Sequence, residues 1–134
     1  SGVARQIIFT HCDHENCIAM KRLVPELRTM MWVTGKDPEK AARRFEEAKH
    51  TGFDSLDIIQ FHLVDEENAQ SWRYKVKREF VETAFKTLRD AGRELEVLPY
   101  HLDQKSLFEL LDIGVRRFAV DQPSVFVELL SRYR

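Results

Sequence analysis

Five short apolar runs, each followed by a segment with helical periodicity, divide this sequence into repeating units. Strict alternation of strands and helices predicts a parallel α/β sheet, because parallel neighbours need a long crossover connection and a helix supplies it. The five predicted strands are Gln6–Thr10, Thr29–Val33, Ser55–His62, Leu95–Tyr100 and Arg117–Val120.

The clearest unit covers Leu95–Pro123, where a short helix separates two apolar strands. Asp103 is expected to cap this helix, and Gly114 lies just past its last turn. Three leucines at helical spacing give the helix one apolar side: Leu107, Leu110 and Leu111. So short a crossover implies that the polar ends of the strands lie on one side of the sheet.

Four further helices are predicted from apolar spacing and capping residues. Asp13 begins the first, Asp37-Pro38 begins the second, and the other two span Trp72–Ala91 and Ser124–Tyr133. The side chains expected to face the core are Ile18, Leu23, Val24 and Leu27 in the first, Ala41, Ala42, Phe45 and Ala48 in the second, Val76, Phe80, Val81, Ala84, Phe85 and Leu88 in the third, and Val125, Leu129 and Leu130 in the last.

Composition is typical of a single soluble α/β domain spanning residues 1–134. The formal net charge of −1 gives no electrostatic basis for binding nucleic acid, and no apolar run has the length of a transmembrane segment. Cys12 and Cys17 form no recognisable disulfide framework, so a cytoplasmic location is the default expectation.

Binding sites of parallel α/β folds lie at the carboxyl ends of the strands. Three histidines, His11, His62 and His101, fall at such ends, and we expect them to gather at a common rim. Imidazoles and a thiol are typical of a phosphate or metal site, although solvated strand ends carry such residues too. The candidate site residues are His11, Cys12, Trp32, Gln60, His62, Tyr100, His101 and Asp121.

Some of these residues have a simpler interpretation. Asp121 either orients the site or caps the last helix, and Trp32 and Tyr100 either line a pocket for a glycerol or lipid-like group or only pack. Backbone amides near Gln122–Val125 are where a barrel would bind phosphate. The basic run at residues 73–78 is interpreted as a solvated helix start, and the acidic residues 65–67 as an exposed loop.

Three segments, taken in order, resemble the glycerophosphodiester phosphodiesterases. Gly114–Pro123 (Gly-Val-Arg-Arg-Phe-Ala-Val-Asp-Gln-Pro) resembles the family's last strand, in which Gly-Val-Asp-Gly leads through apolar residues into Thr-Asp-x-Pro. Leu95–Asp103 occupies the place of the family's Trp-Thr-Val-Asn strand end. Cys12–Asn16 and Met20–Leu27 resemble its Ser-Phe-Asp/Asn strand end and the helix that runs to Pro-x-Leu.

The resemblance implies that the five strands are the fourth to eighth of a (β/α)8 barrel, whereas the pattern alone favours an open doubly wound sheet. It also implies metal-dependent hydrolysis of a small phosphodiester or glycerol-phosphate-like ligand with Mg²⁺ or Ca²⁺. The family's His-Arg-Gly, Glu-x-Asp, His-Asp and Glu-x-Lys motifs have no counterpart in the sequence. No catalytic residue or metal ligand is therefore carried over, and the isolated chain is expected to be inactive.

Five strands of a barrel leave two unpaired edges, so we expect the missing barrel strands or a second chain to cover them. Two functions remain open: the C-terminal part of a phosphodiesterase-like enzyme, or a non-catalytic ligand- or partner-binding domain derived from that barrel. A hydrolase with its own His/Cys metal site is a third.

Overall fold

The computed structural model describes residues 3–134, and it is an α/β fold with one five-stranded parallel sheet. The strands are β1 (Ile8–His11), β2 (Arg28–Thr34), β3 (Ile58–Leu63), β4 (Glu94–Pro99) and β5 (Arg117–Phe118). The helices are α1 (His14–Leu23), α2 (Pro38–His50), α3 (Arg78–Asp90), α4 (Gln104–Ile113) and α5 (Pro123–Leu130). No helix within the described residues is long and apolar enough to cross a membrane.

Each strand pairs in parallel with the next one along the chain, so the sheet order is β1-β2-β3-β4-β5. A doubly wound sheet reverses its strand order at a switch point, and this sheet does not. Right-handed crossovers that always move in one direction place every helix on the same face. The arrangement is therefore that of a partial barrel, with β1 and β5 as its open edges.

The helices cover one face of the sheet, which we call the outer face. Its strand side chains enter a single core cluster with the helices and are almost fully buried; they include Met31, Val33, Ile59, Phe61, Leu63, Leu95 and Val97. The alternate residues form the opposite, inner face: Met30, Trp32, Ile58, Gln60, His62, Glu96, Leu98 and Arg117. This parity follows from the two-residue repeat of a strand.

Local signals explain most of the element ends. Asp103 caps α4 in a capping box with Ser106, and the Asp37 carboxylate accepts from the Glu39 and Lys40 amides at the start of α2. Gly114 ends α4 with φ of +120°, a conformation that side chains rarely adopt. These predictions are confirmed.

Several predicted boundaries are wrong. β1 begins at Ile8, after a short 3-10 turn, and β3 begins at Ile58, because Phe53 and Ser55 have positive φ and cannot extend a strand. α3 begins at Arg78, since the preceding segment is held by an antiparallel bridge between Asp65 and Tyr74.

Two predicted apolar stripes are only partly correct. In the first, Leu27 is buried beyond the end of α1 and Ile18 and Val24 are half-buried, whereas Leu23 is 78% exposed; the buried residue within α1 is Cys17. In α5, Val125 and Leu130 are exposed and Leu129 is only half-buried, because α5 lies beside the open β5 edge. In α2, Ala42 is half-buried, and the other three predicted core residues are buried.

Candidate functional site

The eight predicted site residues lie at the carboxyl edge of the sheet, where they form three separate groups. Tyr100, His101 and Asp121 line a groove beside β4 and β5. The inner-face residues Trp32, Gln60 and His62 form a second group, and His11 and Cys12 lie together at the end of β1.

The groove has a volume of about 400 Å³ and runs between the loop after β4, the loop after β5 and α5. We call it the rim groove. Its α5 wall is apolar and contains Val125, Phe126 and Leu129. Its opposite wall carries polar groups, including His101, so the groove suits a ligand with one polar and one apolar end.

The loop after β3 builds the polar wall. The bridge between Asp65 and Tyr74 folds this loop back, and the buried Tyr74 hydroxyl donates to the backbone carbonyl of His101 at 2.9 Å. Burial raises the pKa of Tyr74 to about 12, so the hydroxyl keeps its proton at any physiological pH. Tyr74 therefore fixes the backbone from which the His101 ring projects.

A carboxylate orients the His101 ring. The Asp65 carboxylate lies 2.5 Å from His101 Nδ1, and Arg73 donates to the other oxygen of Asp65 at 3.3 Å. Arg73 also contacts Asp103 at 3.1 Å. With Nδ1 donating to a carboxylate, Nε2 is the free ring nitrogen, and it has no partner among the residues that the structure describes. The side chain is 70% exposed, so a ligand has access to it.

The start of α5 offers amide donors to the same groove. Its N-cap residue, Gln122, makes no side-chain capping bond, and Pro123 contributes no N–H group. Geometry leaves the Ser124 and Val125 amides without helical partners. Asp121 lies exposed at the mouth and is not the N-cap, so its interpretation as a helix cap is wrong.

A polar chain crosses the inner face. His62 Nε2 donates to Gln60 Oε1 at 2.9 Å, and the Gln60 amide donates to Glu96 Oε2 at 2.5 Å. Arg117 approaches the other oxygen of Glu96 at 3.4 Å. Gln60 is only 6% exposed although no helix covers this face.

Aromatic rings flank the end of this chain. The Trp32 and His62 rings stack with centroids 4.9 Å apart and an interplanar angle of 6°, and the Tyr100 ring lies 6.2 Å from His62. Burial lowers the pKa of His62 below its ordinary value of 6.5, which favours the neutral ring. Tyr100 thus connects the inner face to the rim groove.

The three histidines are not brought together, so the prediction of one His cluster is wrong. Their strands end at the same edge, but His11 has outer-face parity and stacks on Phe9, whereas His62 points to the inner face. His101 lies beyond the end of β4 and is held by Asp65. The position of a residue in the sequence predicts the edge of the sheet at which it lies. It does not predict the face to which the side chain points, because neighbouring residues of a strand point in opposite directions.

Sequence reasoning missed four residues that shape these sites. Glu96 and Arg117 interrupt apolar strands at inner-face positions. Charged residues at alternate positions of a strand indicate a polar face, and this pattern could have identified both residues. Asp65 and Arg73 carried no such signal, because the hairpin that joins them depends on a long-range bond from Tyr74 to the next strand's loop. Of the basic run at residues 73–78, Arg73 and Lys75 precede the helix, whereas Lys77 is the N-cap residue of α3 and Arg78 begins it.

No protein-family model matches the chain, and the comparison with curated protein sequences gives no match. Three solved structures match. The catalytic domain of β-amylase from Paenibacillus polymyxa is 16% identical with a TM-score of 0.51, over 81% of this chain and 32% of that domain. A CheY-like receiver domain from Methanospirillum hungatei JF-1 is 13% identical with a TM-score of 0.45, covering 92% of this chain and 90% of the other.

The third match is the N-terminal domain of an uncharacterized Wolinella succinogenes protein, 14% identical with a TM-score of 0.36, over 92% of this chain and 89% of that one. Of the three, the β-amylase likeness bears on the fold. It concerns a TIM-barrel protein, and this chain spans about a third of its length. The shared feature is the parallel α/β arrangement, in agreement with the unreversed strand order.

Proposed function

We propose that this chain is the C-terminal, ligand-binding part of a phosphodiesterase-like (β/α)8 barrel. The observation that carries the proposal is the rim groove, which joins an oriented imidazole, an uncapped helix start and an apolar wall at the carboxyl ends of β4 and β5. Barrels use this position for phosphate groups. The family resemblance supplies the ligand class, a small phosphodiester or a glycerol-phosphate-like molecule.

Each end of such a ligand has a partner in the groove. The phosphate would accept from the Ser124 and Val125 amides and from an N–H group of the His101 ring. The glycerol or alcohol portion would lie along Val125, Phe126 and Leu129. Asp65 and Arg73 would act by holding His101, and they leave no net charge of their own because they pair with each other.

Turnover is expected to require further barrel strands. Phosphodiester hydrolysis with Mg²⁺ or Ca²⁺ needs hard oxygen ligands, and the family motifs that provide them have no counterpart in this sequence. The open edges of β1 and β5 are where those strands would pair. We therefore expect no release of glycerol 3-phosphate from glycerophosphodiesters by the isolated chain with either metal ion.

Titration of the ¹⁵N-labelled chain with sn-glycerol 3-phosphate tests the binding proposal. We expect saturable shifts of amides in residues 100–103 and 121–126, with a Kd on the order of 1 mM, equivalent to about −4 kcal/mol. Glycerol alone should give no saturation, and inorganic phosphate should shift amides in both segments but bind more weakly, because it lacks the apolar contacts with α5.

A matched pair of variants gives the control. His101→Ala should weaken binding about 10- to 150-fold, because a charge-assisted hydrogen bond contributes about 1.5–3 kcal/mol. His50→Ala changes an exposed histidine at the end of α2 and should leave binding unchanged. Absence of saturable shifts, or equal binding by both variants, would contradict the proposal. Hydrolysis of glycerophosphodiesters by the isolated chain would contradict the expectation that turnover requires further barrel strands.

One observation favours the alternative of a non-catalytic binding domain. The inner-face carboxylates are already engaged, since Glu96 accepts from Gln60 and Arg117, and Glu94 accepts from Arg28 and Arg117. Carboxylates paired in this way are poor metal ligands. If the natural gene, read upstream of Ser1, encodes no His-Arg-Gly or Glu-x-Asp motif, the non-catalytic alternative is correct.

A further inference from the structure

A second cluster of reactive side chains lies at the end of edge strand β1, where α1 begins, whereas the rim groove lies beside the other edge strand, β5. His11, Cys12 and Asp13 each place one donor atom within 4.8 Å of the other two. Within residues 3–134 it is the group of three or more His, Cys, Asp or Glu side chains whose donor atoms come this close together. Neither function proposed for the groove makes use of it.

The donors converge on one nitrogen. His11 Nδ1 accepts from the Asp13 backbone amide at 2.9 Å, and the side-chain amide of Asn16 lies 3.4 Å from the same atom. A ring nitrogen that accepts a hydrogen bond is unprotonated and carries one lone pair, which a cation would take over from the Asp13 amide. Cys12 Sγ lies 3.8 Å from Nδ1.

The separation of nitrogen and sulfur fits a tetrahedral zinc ion. With a Zn–N bond of about 2.05 Å, a Zn–S bond of about 2.3 Å and a tetrahedral angle, the two donors would be about 3.6 Å apart. The distance in the structure is 3.8 Å. His11 and Cys12 therefore already have the spacing of two ligands on one ion. Metal binding would require the Asp13 amide to leave Nδ1 and the exposed Asp13 side chain to rotate to supply a third ligand.

We propose that His11 Nδ1, Cys12 Sγ and the Asp13 carboxylate bind a zinc-like divalent cation, with a water molecule or the Asn16 amide oxygen as the fourth ligand. The nitrogen, sulfur and oxygen set suits Zn²⁺, whereas Mg²⁺ and Ca²⁺ prefer oxygen ligands alone. The site is thus independent of the Mg²⁺ or Ca²⁺ that the family resemblance implies.

Binding requires one proton to leave the protein. The Cys12 S–H bond breaks, the proton passes to the solvent, and the thiolate electron pair forms the bond to the metal. Arg44 on α2 donates to the backbone carbonyl of Cys12 and so holds the loop in place. Cys17 is not a ligand, because it is buried and donates to the Met30 carbonyl at 3.7 Å, and burial raises its pKa to about 11.

Titration with Co²⁺, followed by displacement with Zn²⁺, tests the site on the intact chain. We expect one equivalent to bind, with a thiolate-to-cobalt charge-transfer band and the visible bands of a tetrahedral ion, and Zn²⁺ to abolish both. His11→Ala and Cys12→Ser should each lower the affinity by about 100-fold or more, above what the loss of an outer-shell partner costs.

Matched controls come from neighbouring residues of the same type. His14→Ala and Cys17→Ala should keep the wild-type affinity, since His14 bonds to the Asp54 carbonyl and Cys17 is buried. In the unmodified chain, Zn²⁺ should also slow iodoacetamide alkylation of Cys12, measured by mass spectrometry. Lack of stoichiometric binding, binding unaffected by Cys12→Ser, or alkylation of Cys12 at the same rate with Zn²⁺ would each overturn the proposal.

Discussion

The two faces of the sheet are built from the same strands and differ in chemistry, because the outer face is mostly apolar whereas the inner face mixes apolar side chains with polar and charged ones. On the outer face, Ile59, Phe61 and Leu63 are fully buried under the helices. On the inner face, the alternate residues Gln60 and His62 belong to a hydrogen-bonded chain that reaches Glu96. The period of two along a strand is what separates them.

This difference shows which face specifies the fold and which one suits a ligand. A barrel interior is usually filled by bulky branched side chains, as the outer face of this sheet is. Here the inner face includes the charged residues Glu96 and Arg117. The Nε atom of Arg117 is buried and has no partner among the described residues. Glu96 and Arg117 are half-buried, and charges partly withdrawn from water are costly, so the folded state depends on their pairing.

The largest loss of stability is expected from a substitution on the outer face. Phe61→Ala should lower the free energy of unfolding by about 3–5 kcal/mol, because it leaves a cavity beside Phe45 and Phe80, whose ring centroids lie 5.9 and 5.2 Å away. Urea unfolding measures the change. Leu23→Ala, at a residue that is 78% exposed, is the control and should cost less than about 0.5 kcal/mol. A similar cost for both variants would mean that the helices do not cover this face.

A smaller effect is expected from breaking the inner-face chain. Glu96→Ala removes the acceptor of Gln60 and Arg117 and should cost about 1–3 kcal/mol, because buried donors lose their partner. Glu96→Gln keeps the shape and an acceptor oxygen and should cost less. If Glu96→Gln is as damaging as Glu96→Ala, the charge rather than the hydrogen-bond geometry stabilises this face.

The fold could be predicted further than the site. The number of units, their order and the parallel arrangement follow from local apolar patterns, and the caps at Asp37, Asp103 and Gly114 from the chemistry of helix ends. The segment before α3 could not be predicted, since the Asp65–Tyr74 bridge overrides the helical appearance of the sequence that follows Trp72.

The positions of the site residues could likewise be predicted only in part. Tyr100, His101 and Asp121 do line one groove, as their positions after β4 and β5 suggest. His11 and His62 were placed at the correct edge but cannot meet, because the face of a strand residue depends on where the strand begins. The groove itself depends on Asp65, which contacts His101 36 residues further along the chain, and on Arg73, which contacts Asp103 30 residues further along; no local pattern encodes these contacts.

The smallest effect concerns His62, the one ionisable ring on the inner face whose pKa shifts. Burial lowers its pKa in the folded state below the ordinary 6.5, so the unfolded chain binds the proton more readily. Stability should therefore fall as pH decreases below about 6.5 and level off beneath the folded-state pKa, with full stability above that window. His62→Gln lacks this group, so the difference in unfolding free energy between the two proteins should shrink on acidification from pH about 7.5 to 5. A difference that stays constant over this range, measured by urea unfolding, would mean that the ring titrates as freely in the folded protein as in water, and that the inner face is more hydrated than its buried Gln60 indicates.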